Sequence, residues 1–254
     1  MRKKLISFAA ALALSLGVSV SAFAECNYTV AQLGQQLPFP MQDARIYKQS
    51  ELTPHICSII MQVKTFNGQM QFVPLFTTSK GIIIGTLFQN KQNVTGNQIM
   101  SLQQAESAKN FNAVKDELNS IAVATYKPKN ANGKILYAFV DPLCPFCHAA
   151  EPQLQGLADQ SGYTIKIMPF IVHGKPAYDK MASFICSHKG NYADYIKGDY
   201  GNAKVCPQAK ALLTKAQQID SKLELSGTPT FFTSDGKMVV GANIVELKQV
   251  LGIK

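Results

Sequence analysis

The chain has 254 residues, 46% of them hydrophobic, with six cysteines, no tryptophan and a formal charge of +9. It carries no arginine-rich run and no interleaving of aromatic and basic residues, which argues against a nucleic-acid partner. Lysine supplies most of the positive charge, as on a solvated face.

The first 24 residues read as an export signal. Arg2, Lys3 and Lys4 form a basic start, Leu5 to Val20 is mostly apolar, and Ala22-Phe23-Ala24 is a small-X-small cleavage site. The apolar part is short for a membrane span and no other stretch is long enough to be one. Loss of the three basic residues lowers the formal charge from +9 to +6. About 230 residues remain, enough for one large or two medium domains.

Residues 25–100 read as a small α+β domain with an antiparallel sheet. Thr29 to Leu37 is a short helix stopped by Pro38 and Pro40. Ile56 to Phe66 alternates as a strand, Asn67-Gly68 is a hairpin turn, and Met70 to Phe76 returns. Gly81 to Phe88 reads as a buried strand, and Gly96-Asn97 ends the block. An exposed edge of such a sheet invites self-pairing. His55, beside Pro54, reads as a turn residue.

From Ser101 to Thr125 the apolar residues Leu102, Ala105, Ala108, Phe111, Val114, Leu118 and Ile121 recur every three or four positions. That spacing predicts a helix of about six turns with one apolar stripe. Residues 101–133 are read as a linking helix and turn between two domains. An ordinary first helix of the second domain fits the same pattern.

Residues 134–254 have the pattern of an α/β domain. Ile135 to Val140 is an apolar run and reads as a buried strand. Ala149 to Gln160 is an amphipathic helix containing Pro152, and Tyr163 to Ile171 is a second strand, parallel to the first by the βαβ rule. His173 to Pro176 reads as a loop, with His173 a polar loop residue rather than a ligand. Ala177 to His188 and Ala203 to Ile219 form a helical insertion, and His188 sits at a helix end. Thr228-Pro229 precedes a strand, as an edge start or a cis bond. Ser234 to Lys237 is a hairpin turn, and Ile244 to Leu251 closes the chain as a helix.

Between the first strand and its helix stands Asp141-Pro142-Leu143-Cys144-Pro145-Phe146-Cys147-His148. Thiols three positions apart at a helix start lie where unpaired backbone N–H groups favour negative charge. Cysteines in such pairs ionise between about 3.5 and 7, against about 8.5 for a free thiol. Cys144 is expected to be exposed and nucleophilic, and Cys147 buried and resolving. Cys144-X-X-Cys147-His148 also fits a c-type haem attachment, but the pair is wedged between a strand and a helix. A zinc site needs a second ligand pair, and Cys186 and Cys206 lack its spacing. An inert structural bridge is the remaining reading. No metal and no cofactor are expected.

The even cysteine count in an exported chain points to three pairs, and six cysteines allow fifteen connectivities. If Cys144 and Cys147 are the redox pair, a Cys186–Cys206 bridge closes a loop of about 20 residues, worth about 3 kcal/mol. Cys26 and Cys57 are then left to each other as a staple of the first domain.

The strand, CPFC helix, helical insertion and Thr228-Pro229 before a hairpin and helix resemble the thioredoxin fold. With the signal and the preceding domain, the chain resembles the periplasmic disulfide isomerases of the DsbC/DsbG family. The resemblance is strong over 134–254 and holds in outline over 25–100. It rests on DPLCPFCH (141–148) and SGTPT (226–230), and it places a structural disulfide at Cys186 and Cys206. It implies a periplasmic homodimer joined through residues 25–100, with misoxidised exported proteins as clients and a membrane reductase of the DsbD type as partner. Cys144 and Cys147 would be the catalytic pair, with Pro145, Phe146, Thr228 and Pro229 at the client. Pro145-Phe146 is nearer to the Pro-Tyr of DsbG and the Pro-His of the oxidant DsbA than to the Gly-Tyr of DsbC. An oxidase and a client-holding chaperone are therefore the alternatives. Cys26 and Cys57 are not part of the family pattern.

Overall fold

The computed structural model describes residues 26–38, 40–64 and 70–253. The expected export signal and the Asn67-Gly68 turn lie outside the described residues. The chain is α+β and divides into two compact units between Leu87 and Phe88.

The first unit begins with helix α1 (Val30–Gly34), held by a capping box. The Thr29 side chain accepts from the Gln32 N–H, and the Gln32 side chain accepts from the Thr29 N–H at 2.8 Å. Strands β1 (Arg45–Thr53), β2 (Ile56–Lys64), β3 (Met70–Thr78) and β4 (Gly81–Ile84) form one antiparallel sheet in that order. Leu33 from α1 packs on Ile59, Met61, Val63 and Leu75. A disulfide from Cys26 to Cys57, Cα atoms 5.6 Å apart, ties the segment before α1 to β2.

Two features of this unit differ from the sequence reading. Strand β1 is largely exposed and shows no clean alternation, so its sequence carries no strand period. The GIIIGTLF run is not one buried strand. Only Gly81–Ile84 pairs, at the sheet edge, and Ile83 and Ile84 are exposed. Phe88–Gln89 (β5) instead forms a small ladder with Gln92–Asn93 (β6) at the start of the second unit.

Helix α2 (Val94–Leu118) starts seven residues before the position expected from the stripe. The cause is Asn93, whose side chain accepts from the Gly96 N–H at 2.7 Å and caps the first turn. Phe111, Val114 and Leu118 enter the main core, and a 3-10 turn (Asn119–Ile121) ends the helix. The expected helix to Thr125 stops short because Ala124–Tyr126 becomes strand β7, antiparallel to the strand Thr164–Pro169 (β9). β-Branched Val123 and Thr125 suit that exchange.

The second unit is built on a six-stranded sheet, in the order β10 (Gly190–Asn191), β7, β9, β8 (Ile135–Val140), β11 (Thr230–Thr233) and β12 (Met238–Val240). Strand β8 (Ile135–Val140), helix α3 (Pro145–Ser161) and strand β9 (Thr164–Pro169) make the expected βαβ unit with parallel strands. Pro152 lies inside α3, and Gly162 ends it in the left-handed conformation, φ 77°. A Cβ on Gly162 would stand 2.8 Å from the Asn130 carbonyl, so only glycine fits. Helix α4 (Gly174–His188) begins in what the sequence presents as a loop. The short β10 (Gly190–Asn191), helix α5 (Tyr192–Lys197) and helix α6 (Pro207–Lys222) complete the insertion. The Cys186–Cys206 disulfide closes it, with Cα atoms 6.0 Å apart.

Strands β11 (Thr230–Thr233) and β12 (Met238–Val240) form the final hairpin, and α7 (Ile244–Leu251) covers it. Phe232 on β11 stacks on Phe111 of α2 and meets Phe139 of β8 edge-on, with centroids 5.4 and 5.9 Å away. The Gln104 amide of α2 donates to the Met238 carbonyl at 3.1 Å and accepts from its N–H at 3.5 Å.

Candidate active site

The site forms because three chain segments reach the same end of the sheet. Parallel β8 and β9 both finish there, and β11 begins there because it runs antiparallel to β8. Asp141 follows β8, and its carbonyl accepts the Cys144 N–H at 3.1 Å. Its carboxylate accepts the Leu143 N–H at 2.7 Å, which makes the tight turn into α3.

Cys144 is the N-cap of α3 and Pro145 fills the first helical position, where a missing N–H costs nothing. No side chain caps this end, so Sγ of Cys144 stands near uncompensated N–H groups. Cys147 follows one turn later, and its N–H donates to the Cys144 carbonyl at 3.1 Å. Both thiols are free.

The exposure of the two thiols differs from the expectation. Cys147 is fully buried, and Cys144 is only 3% exposed. The Thr228-Pro229 loop supplies the reason. Its Thr228–Pro229 peptide bond is cis, and the Thr228 carbonyl accepts from the Cys144 thiol at 3.3 Å. Pro145 and Phe146 head the helix, and Phe146 is 65% exposed. Leu143, beside Cys144 in the chain, and Val172, whose N–H donates to Asp141, are also exposed.

Burial pushes the Cys147 thiol well above its ordinary range, so it stays protonated. Beneath it, Glu151 is buried and accepts from the Tyr195 hydroxyl at 2.9 Å, while its other oxygen lies 3.5 Å from His148 Nδ1. Desolvation raises the Glu151 carboxyl above its usual value. A haem attached through both sulfurs needs two accessible thiols, and Cys147 has no exposed surface. Among the described residues no group of three or more His, Cys, Asp and Glu is arranged to hold a metal.

Sequence reasoning singled out Cys144, Cys147, Pro145, Phe146, Thr228 and Pro229, and the fold brings these together. Cys186 and Cys206 bond to each other in the insertion, and Cys26 and Cys57 in the first unit. Asp141, Glu151 and Tyr195 were given no role from the sequence, and His173, read as a polar loop residue, stands against the buried Asp141 carboxylate. Asp141-Pro142 carried a signal, since Asp before Pro favours a turn that its own carboxylate closes. Glu151 and Tyr195 are 44 positions apart, and no local pattern links them.

This arrangement of a strand, a Cys-X-X-Cys helix start and a facing Thr-Pro loop is that of the thioredoxin class. A thioredoxin-like domain model matches residues 121–251, just over half of the chain, and the protein belongs to that family. Among solved structures, a linker-deletion mutant of Proteus mirabilis ScsC is 18% identical with a TM-score of 0.49, covering 62% of this chain and 86% of its own. Helicobacter pylori DsbG is 19% identical with a TM-score of 0.41, covering 75% and 93%. Oxidised BdbD from Bacillus subtilis is 14% identical with a TM-score of 0.43, covering 52% and 92%. No curated protein matches the chain. Among the described residues no helix is long and apolar enough to cross a membrane.

Proposed function

We propose that the protein is a thiol-disulfide oxidoreductase of exported proteins, acting as a disulfide isomerase or reductase of the DsbC/DsbG type. The observation that carries this reading is Cys144 Sγ at the uncapped start of α3, against the Thr228 carbonyl, with buried Cys147 one turn behind. The Cys144 thiolate attacks one sulfur of a client disulfide. A Cys144–client bond forms, the client S–S bond breaks, and the second client sulfur leaves as thiolate. Cys147 or a client thiol then attacks Cys144 and releases the client. The high proton affinity of Cys147 delays that second attack and gives a client thiol time to compete, as isomerisation requires. The exposed apolar side chains of Leu143, Phe146 and Val172 fit clients that expose apolar chain.

On this reading the export signal over 1–24 delivers the protein to the periplasm. The first unit joins two copies, and a membrane reductase of the DsbD type keeps Cys144 and Cys147 reduced. The test is refolding of scrambled ribonuclease and reduction of insulin. Wild type is expected to accelerate both, and Cys144→Ala to lose both. An unchanged rate in the variant refutes the reading. A strongly oxidising potential in a monomeric protein would favour the oxidase instead. Suppression of aggregation that survives loss of both thiols would favour a holding chaperone.

A further inference from the structure

The proposed exchange chemistry involves two of the three segments at the site, the Cys144 turn and the Thr228-Pro229 loop. The third is the segment after β9, which contains Val172 and His173. Because β8 lies between β11 and β9, the Thr228 loop and His173 stand on opposite sides of the Cys144 turn. Asp141 ties the Cys144 turn to the His173 side. Its Oδ2 accepts the Val172 and His173 N–H groups at 2.7 and 3.0 Å. Its Oδ1 accepts the Leu143 N–H and lies 3.1 Å from His173 Nδ1.

A carboxylate only accepts, so its nearness at 3.1 Å favours the hydrogen of a neutral His173 ring on Nδ1. Asp141 is fully buried and held by three backbone donors, so it presents a fixed negative charge to the Nδ1 side of the ring. That leaves Nε2 as the open nitrogen. It has no hydrogen-bond partner among the described residues, and the side chain is 43% exposed. A ring set against a buried carboxylate, with its second nitrogen free toward solvent, is equipped to move a proton. The charged group facing it from the neighbouring segment is Asp141. On its own helix, Lys175 is engaged with Asp179.

We propose that His173 is the proton-transfer residue for the client's second sulfur, on the reading of Cys144 as nucleophile. A client disulfide lying across the Cys144 turn puts one sulfur at Sγ and directs the other toward the His173 side. When Cys144 attacks, the S–S bond breaks and its electron pair leaves on the second client sulfur. Protonated His173 gives its Nε2 proton to that thiolate. In the reverse step neutral Nε2 takes the proton from the client thiol, and the thiolate so formed attacks the Cys144–client bond. No outside oxidant or reductant enters either step.

The test uses the full mature chain, pre-reduced, with excess glutathione disulfide as the client disulfide and stopped-flow detection across the neutral pH range. His173→Gln keeps the backbone donors to Asp141 and changes a half-exposed side chain, so the fold is retained; a thermal melt checks this. The expected result is a rate lower by about tenfold, below the usual range for acid–base catalysis because a thiolate is a good leaving group. One ionisation disappears from the pH–rate profile, and the equilibrium reduction potential is unchanged, since a proton carrier alters rates only. A profile identical to wild type, or one lowered equally at every pH with its shape intact, overturns the proposal while leaving Cys144 as nucleophile. Wild type that fails to react at all overturns the functional reading, and this proposal with it.

Discussion

Asp220 offers the sharpest stability prediction in the molecule. It lies in the last turn of α6, buried, and its Oδ1 has no hydrogen-bond partner among the described residues. Burial pushes its carboxyl up to about 8 from an ordinary 3.8. Below pH 3.8 both folded and unfolded chains carry the proton, and the residue does not oppose folding through its charge. As pH rises, the unfolded chain ionises and gains about 1.4 kcal/mol per unit, which the folded chain does not share until about pH 8. At pH 7 the difference favours unfolding by about 4 kcal/mol, a large share of the ~5–15 kcal/mol that a folded domain commands. Asp220→Asn keeps the shape and removes the ionisation. Urea melts should therefore show the variant nearly equal to wild type at about pH 4 and more stable by up to about 4 kcal/mol at pH 7. A stability difference that is the same at both pH values would refute the argument, because it would show that the folded chain accommodates the charge.

Two further predictions concern the insertion. Tyr195→Phe removes the hydroxyl that satisfies buried Glu151 and should cost about 1–3 kcal/mol in chemical denaturation; a neutral result would mean that Glu151 finds another partner. Replacing Cys186 and Cys206 together by alanine should lower stability by about 3 kcal/mol from loop entropy. It should also raise amide hydrogen exchange in α5, whose buried Tyr192 and Tyr195 lie between the two cysteines. Unchanged protection there would show that tyrosine packing alone holds the segment.

The parts of the chain that were legible share a physical origin. β8 and α3 carry their periods and their turn within one short stretch, so Ile135 to Gln160 can be read without knowing what packs on it. Cys144, Cys147 and Pro229 could be singled out because thiol spacing and an X-Pro bond are local facts. What failed depended on partners remote in sequence. Ile83 and Ile84 look like core, yet they lie exposed on an edge strand, which only the sheet order decides. Ala124–Tyr126 continues a helical stripe, yet pairing with β9 draws it into the sheet. The Cys144 sulfur is covered by a carbonyl 84 residues away. Asp141 and His173 are joined across 32 positions, so the base beside the thiol turn was visible only as a loop histidine.

The Gln104 amide at Met238 has a consequence for how this molecule meets others. Strand β12 is three residues long, and alternate residues of an antiparallel strand face away from its partner. The side chain of Gln104 occupies the outward N–H and C=O of Met238 much as a neighbouring strand would. Only Val240 is left to offer a docking peptide, too little to template another chain. This edge of the sheet is thus closed to the addition of a further strand.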